Sequence, residues 1–66
     1  MTEEEYLRRT DNLRIIQTAL YEYADRERDR AMNSTREGEA ERLEGEAETA
    51  TELADSTDLA RFIMRY

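Results

Sequence analysis

Carboxylates are the most abundant chemically capable side chains in this sequence, 17 Asp and Glu among 66 residues. Two carboxylates whose pKa values are pushed apart can share acid–base work in a cleft. Several of them in a loop of suitable spacing can hold Ca²⁺ or Mg²⁺. Here the glutamates recur at helical intervals and lack the ligand spacing of an EF-hand loop. Histidine and cysteine are absent. That removes the commonest general base, any thiolate nucleophile and the usual protein ligands of zinc and di-iron centres. The expectation is a non-enzymatic protein with no catalytic residue, no cofactor and no metal.

The acids form a ridge. Glu37, Glu41, Glu44, Glu48 and Glu52 step by four, three, four and four residues, which aligns them along one side of a helix. At 1.5 Å per residue such a ridge is about 22 Å long, with charges about 4.5–6 Å apart. The stretch 37–58 carries nine acids and one arginine, whereas 1–36 carries eight acids and seven arginines. The net charge of −7 therefore resides in the second half. This balance disfavours direct binding to nucleic acid or to anionic membranes and favours a protein partner with a basic surface. The ridge is the candidate partner-binding site. Its plainer reading is a solvated helix face, and its charge spacing also admits an acidic mimic of nucleic acid. The tyrosines at 6, 21, 23 and 66 are either interface anchors or the amphipathic edge of a core.

The elements that position these groups are helical. Thr2 and Glu5 fit a capping box, and Glu3, Glu4 and Glu5 suit the positive end of a helix dipole. Tyr6, Leu13, Ile16, Leu20, Tyr23, Ala24 and Ala31 share one stripe at about 100° per residue, which predicts a helix over about 3–32. The alternating charges of Asp25 to Arg30 read as a solvated, salt-bridged face. Asn33-Ser34-Thr35 reads as a turn, with Ser34 and Glu37 as a second capping box opening a helix over about 36–55. That helix carries a seven-residue repeat, Glu37-Gly-Glu-Ala-Glu41 and Glu44-Gly-Glu-Ala-Glu48. Its seam is Ala40, Leu43, Ala47, Ala50 and Ala54, at coiled-coil spacing. Gly38 and Gly45 lie on its other face, where each costs about 1 kcal/mol against alanine. The register breaks near Asp55-Ser56-Thr57-Asp58, and Leu59, Phe62, Ile63 and Tyr66 form a stripe of their own. This predicts a kink into a short third helix, about 57–66.

Two long helices joined by a short turn run antiparallel. The expected fold is all-α, a single helical domain over 1–66 built as a hairpin with a short C-terminal helix. Antiparallel pairing brings Ala40 and Leu43 to Ala31 and Met32 at the turn end, and Leu59, Phe62 and Ile63 to Tyr6, Leu13 and Ile16 at the open end. Seventeen large apolar side chains are more than one hairpin can cover, and a chain this small rarely builds a sufficient core alone. The surplus of Tyr6, Leu7, Leu13, Ile15, Ile16, Leu59, Phe62, Ile63 and Tyr66 is the candidate self-association surface, through which a homo-oligomer completes a bundle. No apolar run exceeds three residues, so neither a signal-peptide core nor a membrane span is expected, and the cytoplasm, whether of the organism or of a host cell, is the expected location. The functional expectation is a small acidic protein-binding module, of the kind phage and mobile elements use to regulate or inhibit a host protein. Its alternatives are a structural component of a particle, such as a virion, and the nucleic-acid mimic.

Overall fold

The computed structural model describes residues 1–65, and they form three helices in the order α1 (Glu3–Met32), α2 (Glu39–Ala54) and α3 (Thr57–Arg65), with no strand among them. Tyr66, expected at the end of the third helix, lies outside the described residues. α1 opens as its sequence requires. Thr2 is extended, and its hydroxyl accepts a hydrogen bond from the Glu5 amide at 3.1 Å. At the far end Asn33 closes the helix twice, its backbone and side-chain nitrogens both donating to the Asp29 carbonyl, at 3.2 and 2.9 Å.

The connection to α2 is longer than the expected 33–35 and runs to Gly38. The second capping box does not form. The Ser34 hydroxyl instead accepts from the Arg36 amide at 3.4 Å, inside the turn. Gly38 is the N-cap of α2, with φ of 82° and ψ of −17°. That left-handed conformation suits glycine and is strained for residues with a Cβ. The first glycine of the repeat is thus a turn residue and not a soft spot within a helix, which is why α2 starts at Glu39 and not near 36.

α2 packs antiparallel on α1 through the alanine seam. Ala47 and Ala54 are fully buried, Leu43 and Ala50 nearly so; Ala47 and Ala50 pack with Ala24 of α1, with Leu20 half-buried against them, and Ala31 of α1 is buried too. Small side chains let two helices approach closely but bury little area each. Leu43 is the only large side chain fully buried among the described residues. Two expectations at the seam are corrected. Glu27, assigned to a solvated charged face, is 4% exposed. It lies three residues after Ala24 and four before Ala31, and the alanines opposite leave room for its stem. Its carboxylate accepts a 2.9 Å charge-assisted bond from Arg30. Met32, expected against the seam, is 83% exposed as the last residue of α1, beside Glu44 and Glu48 on the polar flank.

α2 stops at Ala54 and α3 begins two residues later, so the register break is a kink. Side chains of α1 hold it. Gln17 Nε2 donates to the Ala54 carbonyl at 3.0 Å, and the Tyr21 hydroxyl donates to the Asp55 carboxylate. Ser56 then caps α3, its hydroxyl accepting from the Asp58 amide at 3.1 Å. Arg9 closes the far end of α3 by donating to the Met64 carbonyl at 2.9 Å. The bonds at the Ala54 carbonyl, the Asp58 amide and the Met64 carbonyl each satisfy a helix-terminal backbone group that would otherwise lack a partner within its own helix.

The result is a rod of 51 × 16 × 12 Å, one layer of helices thick, with a radius of gyration of 15.2 Å. A compact chain of this length has a radius of about 11 Å.

Candidate functional site

The hairpin has two flanks, one on each side of the α1–α2 seam. On one flank Tyr21 meets Asp55, and Arg28 Nη2 donates to the Thr51 hydroxyl at 3.3 Å, with Glu44 and Glu48 lining a shallow depression beside Arg28 and Met32. This flank is polar. On the other, the Tyr23 hydroxyl donates to Glu46 at 3.2 Å, within a groove formed by Leu20, Tyr23, Gly45, Thr49 and Leu53 with Arg42 and Glu46 at its rim. One helical turn before Leu20 stands Ile16. It lines a second open cleft with Ile15, Phe62 and Ile63, rimmed by Glu5, Arg8, Arg9 and Asn12. Because Ile16 and Leu20 are four residues apart, the two depressions follow one another along the same face of α1. An apolar strip thus runs from α3 across α1 to the middle of α2.

The candidate self-association residues divide accordingly. Ile15, Ile16, Phe62 and Ile63 come together in the cleft, with Ile15 59% and Phe62 61% exposed. Leu13 and Leu59 are half-buried between helices. Tyr6 and Leu7 are exposed near the start of α1, and neither lines that cleft. Tyr66 lies outside the described residues. Sequence reasoning missed Leu20, Thr49 and Leu53 as surface, whereas Tyr23 is among the candidate interface anchors and Gly45 is placed on the outer face of the helix. The signal was present for Leu53, which stands apart from the alanine seam by one residue and so cannot face α1 as the seam does. It also missed Arg9 and Gln17 as clamps, although a lone Gln17 beside the apolar stripe of α1 marks a polar group in need of a partner.

The candidate partner-binding ridge keeps its side chains in solvent. Glu41, Glu44, Glu48 and Glu52 are exposed on α2, with Glu41, Glu48 and Glu52 turned away from the seam. Glu37 is exposed too, but in the turn preceding the left-handed Gly38. The helical part of the ridge therefore runs from Glu41 to Glu52, about 17 Å and not 22 Å. No group of three or more Asp and Glu among the described residues converges to hold a metal ion, and no helix is long and apolar enough to cross a membrane.

Two tyrosines show a perturbed acidity. The Tyr21 hydroxyl is raised above its ordinary 10.0, first by its hydrogen bond to Asp55, then by desolvation and by the Asp55 charge. Tyr23 is raised as well, first by desolvation and then by the charges of Glu27 and Glu46 and its bond to Glu46, against a smaller lowering by Arg30. Both shifts keep the phenols neutral as donors. They fit structural hydrogen bonds better than acid–base chemistry near neutral pH, which needs a pKa close to 7. Comparison of the chain with known protein families, with curated proteins and with solved structures finds no match.

Proposed function

We propose that this chain is a non-enzymatic protein-binding module that works as a self-associated helical bundle. In this reading the acidic outer face of α2, Glu41, Glu44, Glu48 and Glu52, is turned toward a basic surface of its target. One observation carries the proposal: the size order of the side chains is inverted. Alanines fill the seam, while Tyr6, Leu7, Ile15, Ile16, Leu53 and Phe62 remain exposed. Domains are ordinarily built of two packed layers, and this hairpin is one. A second layer supplied by another chain resolves both facts. The module fits the role of a small regulator or inhibitor of another protein, in which association energy replaces chemistry.

Light scattering after size exclusion, with circular dichroism across a hundredfold dilution, tests the first half. Helicity that falls as the oligomer dissociates supports the proposal, because folding and assembly are then linked. A monomer that stays fully helical on dilution overturns it. For the second half, Glu41→Arg, Glu44→Arg and Glu48→Arg are combined. Partners captured from a lysate by the wild-type chain and lost by this variant, at unchanged helicity, support the ridge as the contact. Exposed charge reversals act chiefly on association rate and salt dependence. Equal capture by both chains makes the ridge a solvated face.

A further inference from the structure

We propose that the bend at Asp55-Ser56 is a two-state joint: α2 and α3 exchange between the kinked arm described above and one straight helix over 39–65, and side chains hold the kinked form. The inference goes beyond the binding reading and stands whether or not the chain self-associates.

A helix kinks for an identifiable reason, such as a proline, a glycine or a side chain that enters the backbone ladder. After Gly45 the chain contains neither glycine nor proline. Among the described residues only Gly38 has a positive φ, so no left-handed residue turns the chain at the bend. Asp55 itself lies in the right-handed helical region, with φ of −87° and ψ of −1°, and its amide still donates to the Thr51 carbonyl at 3.1 Å.

The break falls on one backbone bond. In a straight helix the Asp58 amide donates to the Ala54 carbonyl, four residues back. Here a side chain takes each of these two groups. The Ala54 carbonyl accepts from Gln17 Nε2 at 3.0 Å, and the Asp58 amide donates to the Ser56 hydroxyl at 3.1 Å. Hydroxyl side chains compete with the helix ladder for local amides in this way. The Tyr21 hydroxyl, bonded to the Asp55 carboxylate, pins the same joint to α1. Gln17 and Ser56 are only half-buried, so water satisfies them once they are released.

The packing of α3 leaves the choice open, since none of its described side chains is fully buried. The two forms differ in which way α3 faces. At about 100° per residue a straight arm carries Leu59 and Ile63 about 160° and 200° round from Leu43 of the seam, on the outer side with Glu41 and Glu52. The kink instead leaves both half-buried, with Ile63 in a cleft beside Ile16 of α1. The joint decides whether this apolar pair is partly covered or displayed beside the acidic face. A pair of states of this kind is one between which a partner selects.

Nuclear magnetic resonance on the isotope-labelled chain reads the joint directly. Gln17→Leu combined with Ser56→Ala removes both competing side chains. Helical carbon shifts are then expected to run unbroken through 55–58, and the contact between the Ile16 and Ile63 side chains to be lost. The Asp58 amide is expected to exchange about tenfold more slowly once it joins the ladder. Ser56→Ala alone, which leaves the clamp from α1 in place, is expected to move the same shifts part of the way. Unchanged shifts at 55–58 in both variants overturn the proposal. So does loss of helical shifts across 57–65, which means that a released α3 frays and no straight form exists. Ser56→Ala decides the matter if the double variant fails to fold.

Discussion

Tyr21 and Tyr23 sit two residues apart on α1 and bond to opposite flanks of the C-terminal half, Tyr21 to Asp55 and Tyr23 to Glu46. Both phenols are harder to ionise folded than unfolded. For a group raised in this way, stability is fully present below the unfolded pKa and is lost as pH rises through the folded one. Thermal melts are therefore expected to hold steady up to about pH 10 and to fall above it. The double change Tyr21→Phe and Tyr23→Phe is expected to flatten that alkaline fall, because neither side chain then titrates. A fall of unchanged steepness in the double variant would sink this assignment. Gly38 makes a sharper case at the same scale. Its φ of 82° is one that alanine adopts only with strain, so Gly38→Ala is expected to cost about 1–2 kcal/mol. Chemical denaturation measures it. Equal stability would mean that the turn can be rebuilt without a left-handed residue.

At the scale of elements, α1 and α2 are unequally balanced. α1 carries ion pairs at Glu4–Arg8, Asp11–Arg14, Asp25–Arg28 and Glu27–Arg30, three of them with both partners well exposed. Such exposed pairs contribute about 0.2–1 kcal/mol at most. Arg9, which spacing pairs with Glu5, is spent on the end of α3. On α2 the ridge acids repel one another at helical spacing, and Arg42 is the one base within the helix. Salt at 1 M shortens the Debye length to about 3 Å, less than the spacing of neighbouring helix charges. Added NaCl is therefore expected to raise the melting temperature at pH 7, since it screens more repulsion than attraction. A melting temperature that falls with salt would show that the ion pairs of α1 outweigh the ridge.

For the whole molecule, the decisive fact is a rod with its bulk outside. Fully burying a Phe or Ile side chain contributes about 1.5–3 kcal/mol, and in the self-association proposed above the exposed area of Phe62 and the remaining area of half-buried Ile63 go into the contact. Phe62→Asp with Ile63→Asp sets two charges into that contact and is expected to disfavour association by several kcal/mol. On the proposed self-association, in which assembly and folding are linked, the double variant should run as a monomer with much of its helicity lost. Size exclusion with light scattering and circular dichroism on one sample checks it. A variant that remains both helical and associated would remove this end of the rod from the interface.

Periodicity alone determined most of the architecture: α1 from a thirty-residue stripe, the alanine seam of α2 from three-four spacing, and the kink from the break at Asp55-Ser56. These are local properties, because a helix writes its buried face into its sequence every 3.6 residues. The end of the ridge was misplaced, since a glycine at 38 fits a helix and a left-handed cap equally well until the path of the turn is known. Glu27 was misassigned because burial of a charge depends on what faces it, and only the alanines across the seam make room. The clamps from Arg9, Gln17 and Tyr21 join residues 34 to 55 positions apart. The apolar strip likewise gathers side chains from three helices. Contacts between elements depend on relative rotation and register, which no single helical period encodes, so the tertiary structure alone decided which surplus apolar groups form one face.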